Sequence, residues 1–380
     1  MSVTKKYRNL AAVGCLALTA VLISTLVVSG SFPRSSRPSV MNISGSPVIQ
    51  GYYPYWEYKK YPQNTLGIQY LTHLSHAFVW PDTKGNLVIP DDFTLPALRR
   101  RLHLQNKRFL LCIGGSEAAP GFPVMAANPA LRKKFIAKLR LFAHTNGYDG
   151  IEIDWEFPRT TADSKNLTIL LRELRQSFGQ HATINLVVNG SKYVGKWIDV
   201  RGALPYVTYF VIMTYDYHGP WSKHSGHNAP LVDYPGADGS VTGGLEFWLS
   251  KGVPRSKMIM GLPFYGRFFT CRKIGDPFYR GGHAHYRDLI RYSTNEYSLS
   301  WDTSAQVPLM RSRKKIWICS YDNPVSLQLK TKLALRNRLA GVMIWHITGD
   351  MVDGSHLLLP SIYYTMKSIT ENLPTNVVSR

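Results

Sequence analysis

Eight consecutive residues, Asp149-Gly150-Ile151-Glu152-Ile153-Asp154-Trp155-Glu156, concentrate the chemistry of this chain. As a strand, their two-residue period puts Glu152, Asp154 and Glu156 on one face and Ile151, Ile153 and Trp155 on the other. Neighbouring acids then lie about 7 Å apart along the strand. In a shared, partly dry site they cannot all ionise easily, so at least one should keep its proton near neutral pH. A carboxyl that stays protonated there is what general-acid catalysis requires. The plainer alternative is an exposed strand with an acidic face. Among 45 basic and 24 acidic side chains, three clustered acids inside an apolar run favour the catalytic reading.

Such a strand needs neighbours to position it. Short apolar runs recur at 48–55, 71–79, 109–115, 148–155, 183–190, 209–217, 258–266 and 341–347. Each is nearly continuously apolar, as expected for parallel strands buried on both faces. Helical spacing lies between several of them. Asn128 caps a helix that opens on Pro129, carries Leu131, Phe135, Leu139 and Phe142 on one side, and ends at Gly147. Similar patterns cover about 164–178, 242–251 and 324–339. About eight β-α units predict an α/β fold, a (β/α)8 barrel, with the acids at the C-terminal end of its fourth strand. A doubly wound open sheet is the alternative, but no glycine-rich phosphate loop follows the first strand. The long gap between the last two strands predicts a small inserted subdomain over about 270–316. No internal repeat or low-complexity tract is present.

The chain has 380 residues, 44% of them hydrophobic, enough for a large core and too apolar for disorder. Four cysteines exclude a small disulfide-stapled scaffold. Lys5, Lys6 and Arg8 precede an uncharged apolar run from Leu10 to Val28. That order predicts a secretory signal or an uncleaved signal anchor, placing the rest secreted or membrane-anchored outside the cytoplasm. Residues 1–46 are read as this segment and a Ser/Pro/Arg-rich linker, and 47–380 as the barrel. Cys15 sits too early in the apolar run for a lipoprotein cysteine. Of Cys112, Cys271 and Cys319, the pair named for a bridge is Cys271 with Cys319.

The motifs, in order, carry a resemblance. DGIEIDWE resembles the DxxDxDxE signature of glycoside hydrolase family 18, the chitinases and their relatives. GYYPYW (51–56), THLSHAF (72–78), CIGG (112–115), MTYDYHGPW (213–221), GLPFYGR (261–267) and GVMIWHI (341–347) resemble further strand motifs of that family. Many members also insert a small α+β subdomain between strands seven and eight, which the resemblance implies for the gap here. The likeness covers about residues 47–370.

The resemblance implies retaining, substrate-assisted hydrolysis of β-1,4-linked N-acetylglucosamine in chitin or a related glycan, with no cofactor. Glu156 would protonate the glycosidic oxygen, and the substrate's own acetamido oxygen would be the nucleophile. Asp154 would hydrogen-bond the acetamido N–H, with Glu152 behind it, and Tyr215 would hold the acetamido oxygen in line. Met213 and Asp216 would share that wall. Trp345 would be the floor under the sugar, Tyr265 and Arg267 would line neighbouring subsites, and Tyr52 and Phe78 would sit beneath the acids. Two positions depart from the family: Glu152 replaces a shorter aspartate, and Cys112 replaces a small hydroxyl residue that touches it. Ser116 also stands where an aromatic residue often follows the two glycines.

The remaining signals are weaker. His283 and His285, or His218, His224 and His227, have no carboxylate or cysteine at metal-ligand spacing, so loop histidines are expected and no metal site. Gly114-Gly115 is expected to serve close backbone approach at the rim. Asn42, Asn166 and Asn189 begin N-x-Ser/Thr triplets. Basic runs at Arg99 to Arg101, with Lys107 and Arg108, at Arg132 to Lys134, with Lys138 and Arg140, and at Arg311 to Lys315 are read as solvated faces, or as attraction to an anionic cell surface or acidic glycan. The net charge of +21 alone would suit nucleic acid. No recognition motif is present, however, and no aromatic residues interleave with the basic runs. Two rivals stay open: a peptidoglycan or glycoprotein endo-N-acetylglucosaminidase, and a chitinase-like lectin that binds without cleaving.

Overall fold

The computed structural model describes residues 47–116, 120–292 and 295–371. The segment read as signal or anchor, its linker and Cys15 lie outside these residues. Among the described residues no helix is long and apolar enough to cross a membrane.

Eight parallel strands form a closed barrel: β1 (Val48–Pro54), β2 (His73–Pro81), β3 (Arg108–Gly114), β4 (Gly150–Asp154), β5 (Thr183–Asn189), β6 (Tyr209–Met213), β7 (Met258–Pro263) and β8 (Gly341–Trp345). β1 pairs with both β2 and β8, which closes the ring. The short strand Leu87–Val88 folds back antiparallel on β2.

Alternation along each strand divides the apolar residues into two cores. Ile151, Ile153, Ile113 and Ile212 point outward and join Leu139, Leu170 and Trp248 of the surrounding helices. Trp155 also packs outward, its ring stacked on Phe122 at 5.2 Å. The inner core holds Tyr52, Ala77, Phe78, Cys112, Val187, Val211, Ile259 and Met343.

Local signals end the helices where they should. The Asn128 side chain accepts from the Ala130 and Leu131 amides at the start of Pro129–Thr145, and Gly147 takes φ 66° just beyond it. Thr160 caps Thr161–Phe178, and Asn323 with Ser326 forms a capping box ahead of Pro324–Arg336.

The insertion is larger than the sequence suggested. Its five antiparallel strands run, in sheet order, Gly281–His285, Tyr265–Phe269, Ile318–Ser320, Val307–Ser312 and Tyr297–Asp302. The apolar run 258–266 therefore splits: β7 ends at Pro263, and Tyr265 already begins the inserted sheet. Composition could not show this, because both strands are apolar. Arg287 fastens the insertion to the barrel rim, donating to both Glu57 oxygens at 3.1 and 3.2 Å and to the Thr348 carbonyl at 2.8 Å.

The expected Cys271–Cys319 bridge does not form, and Cys112, Cys271 and Cys319 are all free and buried. Cys271 packs with Phe269, Leu309 and Ile318, whereas Cys319 packs with Leu289, Met310 and Tyr321. Ile318 and Cys319 are sequence neighbours, so strand alternation sends their side chains to opposite faces of the sheet. The basic runs are also not purely solvated. Arg132 is buried and makes a two-pronged pair with Glu173, 3.0 Å to each oxygen, because helix Pro129–Thr145 turns it toward helix Thr161–Phe178.

Candidate active site

The inside of the barrel is polar at one level. Gln50 of β1, Ser75 of β2, Glu152 of β4 and Asn185 of β5 are each fully buried. The register sets Cys112 of β3 beside Glu152, and Glu152 beside Asn185. The Gln50 amide donates to Glu152 Oε2 at 2.6 Å and to Ser75 Oγ at 3.0 Å, and the Asn185 amide donates to the same Glu152 oxygen at 3.0 Å. Burial pushes the Glu152 carboxyl up despite these donors. Its other oxygen and Oδ1 of Asp154 have no hydrogen bond among the described residues.

One level higher, Asp154 ends β4, and Glu156 stands two residues past the strand. Burial, then Glu156 and Glu152, push Asp154 well above the usual carboxylate range. Burial, then the Asp216 carboxylate, push Glu156 up to about 7. Burial foremost, then Asp154 and Glu152, keep the Cys112 thiol protonated. Tyr215 is held protonated in the same way, by burial first and Asp154 second. Burial thus favours the protonated form of every one of these groups.

The glycine pair at the end of β3 makes this closeness possible. A Cβ on Gly114, at φ 131°, would sit 1.9 Å from the Asp154 carbonyl oxygen, and the Gly115 amide donates to that oxygen at 3.0 Å.

Asp216 sits at φ 60° just after β6, outside the strand that sequence pattern extended to residue 217. Tyr265 Oη and Arg267 Nε each reach its Oδ1 at 2.7 Å. Asn228 steadies the turn, accepting from the Asp216 amide at 3.1 Å and donating to the Tyr265 carbonyl at 3.0 Å.

The floor is aromatic. Trp345 at the end of β8 is half-buried, stacked near Phe78 at 5.6 Å and edge-on to Tyr52 at 5.4 Å. Tyr215 meets Tyr265 edge-on at 6.0 Å, and Met213 closes the wall beside them. Trp56 and Trp221 stand exposed at the edges, Trp56 6.3 Å from Trp345 and Trp221 under the Arg267 guanidinium at 4.7 Å. Aromatic rings set around carboxyls that burial shifts upward suit a ring-shaped, largely neutral ligand.

The family model for glycosyl hydrolases family 18 matches residues 48–350, from β1 to the segment beyond β8. The chain belongs to glycosyl hydrolase family 18. It is 30% identical over 298 residues to a probable chitinase 2 of Drosophila melanogaster, covering 71% of this chain and 62% of that protein. It is 26% identical over 374 residues to a class V chitinase of Lotus japonicus, covering 88% and 92%. A Group IV chitinase structure from Ostrinia furnacalis superposes with a TM-score of 0.78 at 25% identity, over 85% of this chain and all of that one. The chain spans 62%, 51% and 41% of the length of three of its curated relatives.

Within this family-18 barrel, all eleven side chains singled out from sequence lie around one mouth or directly beneath it. Sequence reading missed Gln50, Ser75, Asn185 and Asn228. A signal existed for one of them: Gln50 is the lone amide of β1, in a strand that is otherwise apolar or aromatic at inward positions. The loop histidines have partners that the sequence did not show. His218 and His227 are fully buried, and the fold brings carboxylates to them: Asp238 lies 3.2 Å from His218, and Asp302 lies 3.1 Å from His227. Linear spacing hid these partners because they come from other loops.

Proposed function

We propose that this family-18 chain hydrolyses β-1,4-linked N-acetylglucosamine polymers, chitin or chitooligosaccharides, with retention and substrate assistance. The observation that carries the reading is Glu156, a carboxyl pushed to about 7 at the open end of β4 beside Asp154. Glu156 gives its proton to the glycosidic oxygen as that bond breaks. The acetamido oxygen of the same sugar bonds to the anomeric carbon, forming an oxazolinium ion. Water then opens this ion after losing a proton to Glu156. Asp154 accepts the acetamido N–H and offsets its developing positive charge, while Tyr215 donates to the acetamido oxygen and aligns it. Because the nucleophile belongs to the substrate, the usual carboxylate-separation rule does not apply.

Trp345 stacks the sugar, and Tyr265 and Arg267 contact its neighbours. Arg100, Lys133, Lys134, Lys138 and Arg140 are exposed and give the outside of the barrel an attraction for an anionic cell surface. The basic start and the Leu10 to Val28 run support export, as a secreted or anchored enzyme.

The deciding experiment is product analysis on chitooligosaccharides, on peptidoglycan, and on a chitosan oligomer lacking acetamido groups. Chitobiose-type products from the first alone are expected. Cleavage of the deacetylated oligomer would sink the substrate-assisted account, and cleavage of peptidoglycan alone would reassign the substrate. Tight binding of chitooligosaccharide without product on prolonged incubation would make the protein a lectin, a reading that Glu156, Asp154 and Tyr215 argue against and the Glu152 and Cys112 departures leave open.

A further inference from the structure

The segment after β6 carries two histidines that the proposed chemistry does not use. His218 and His224 lie with ring centroids 5.2 Å apart, and Asp238 reaches them from the following loop. One ligand atom from each of the three falls within 4.8 Å of the others. His218 is fully buried, yet among the described residues neither of its ring nitrogens has a partner in hydrogen-bond geometry. A buried polar group left unpaired has given up its hydrogen bonds to water without replacement, so an occupant is expected.

The spacing says what kind. His218 Nε2 lies 3.2 Å from Asp238 Oδ2 without hydrogen-bond geometry. Two ligands of a tetrahedral ion with bonds of about 2.0 Å are separated by roughly 3.3 Å. His224 Nδ1 faces the Ser225 carbonyl at 3.2 Å, so Nδ1 carries the hydrogen and Nε2 keeps its lone pair. Gly226 lets the ring sit there, since a Cβ on it would fall 2.1 Å from the His218 ring.

We propose that His218, His224 and Asp238 bind one divalent transition-metal ion of zinc type, with one coordination position left for water. Two nitrogens and one oxygen suit such an ion better than calcium or magnesium, which take oxygen donors. A second cluster, Glu57, His285 and His346, also has its ligand atoms within 4.8 Å. There both Glu57 oxygens already accept from Arg287, and His346 Nδ1 is taken by Thr348, so a cation would have to displace an arginine. The metal at the first site ties the loop after β6 to the loop carrying Asp238. Asp216, two residues before His218, is thereby held against Tyr265 and Arg267.

The test uses the untagged full chain, stripped with a chelator and titrated with Zn2+ against a chromogenic competitor, with metal content and thermal melting read in parallel. One equivalent per chain and a raised melting temperature are expected, and Co2+ should give the visible absorption of a tetrahedral site. His224→Ala and Asp238→Asn, both partly exposed positions, should each weaken binding at least about 10-fold and remove most of the melting shift. His285→Ala should bind as the unaltered protein does. Absence of stoichiometric metal, undiminished binding by His224→Ala, or loss of binding in His285→Ala would each overturn the proposal.

Discussion

Arg267 and Asp216 meet at 2.7 Å where the inserted sheet leaves the barrel, and both Nε and Nη2 of the arginine approach the same oxygen, Oδ1. The contact joins the end of β6 to the first strand of the insertion, so the subdomain completes the site. It also governs a charge that acts on Glu156. Asp216 is the second cause, after burial, of the raised Glu156 pKa.

Asp216→Asn should therefore lower the Glu156 pKa from about 7, though not to the ordinary carboxylate value, because burial, the larger cause, remains. Glu156 acts as an acid, so kcat/KM should fall as pH rises through its pKa, and in the variant this fall should begin at lower pH. Arg267→Met, which leaves the Asp216 charge uncompensated, should move the fall the other way. Identical profiles for all three proteins would detach Asp216 from the catalytic acid.

Glu156→Gln should reduce turnover of chitooligosaccharides at least about 10^3-fold while leaving binding measurable by calorimetry. Its effect on stability should depend on pH, with a definite sign. The folded-state pKa lies above the unfolded one, so the folded wild type holds an extra proton between them. That contribution is complete below the unfolded pKa and is lost as pH rises through about 7. The variant should unfold like wild type at about pH 4, and should be more stable by about 1–3 kcal/mol near pH 8. Urea denaturation at both pH values checks this.

The longer acid at Glu152 is matched to its surroundings. Gln50 from β1 and Asn185 from β5 both converge on Oε2, at 2.6 and 3.0 Å. Glu152→Asp should draw the carboxyl away from both amides, costing about 1–3 kcal/mol of stability and slowing turnover. Cys112→Ser alone should not rescue it. Combining Glu152→Asp with Gln50→Val, which removes a stranded donor, should recover part of the stability in a double-mutant cycle. If Glu152→Asp were neutral in both measurements, the amides would not be tuned to the longer side chain.

A buried ion pair that shares no hydrogen bond or salt bridge with the catalytic acids among the described residues offers a test of the scaffold. Lys330 reaches both Asp322 oxygens at 2.7 Å, with the side chains 0% and 1% exposed. Asp322→Ala leaves a buried ammonium and should cost about 3–5 kcal/mol. The double variant with Lys330→Met should regain much of that loss, as seen by the denaturation midpoint.

Much of the fold was legible in the residues. Ile151, Ile153 and Trp155 face the helices and Glu152 and Asp154 face inward because alternation along a strand is a local property. Asn128-Pro129 and Gly147 delimit a helix for equally local reasons. What linear pattern could not show is which faces meet. Gln50 and Glu152 are 102 residues apart and touch only because the barrel closes β1 near β4. Tyr265 left β7 for the inserted sheet, Cys271 and Cys319 fell on opposite faces, and Arg132 turned inward to Glu173. Asp238 arrived beside His218 across a loop that no spacing rule connects. By itself the sequence determined the side each residue takes and the order of its motifs, since those follow from backbone geometry over a few residues. Only the tertiary structure decided the partners, because barrel closure and loop packing set distances between atoms that the chain holds far apart.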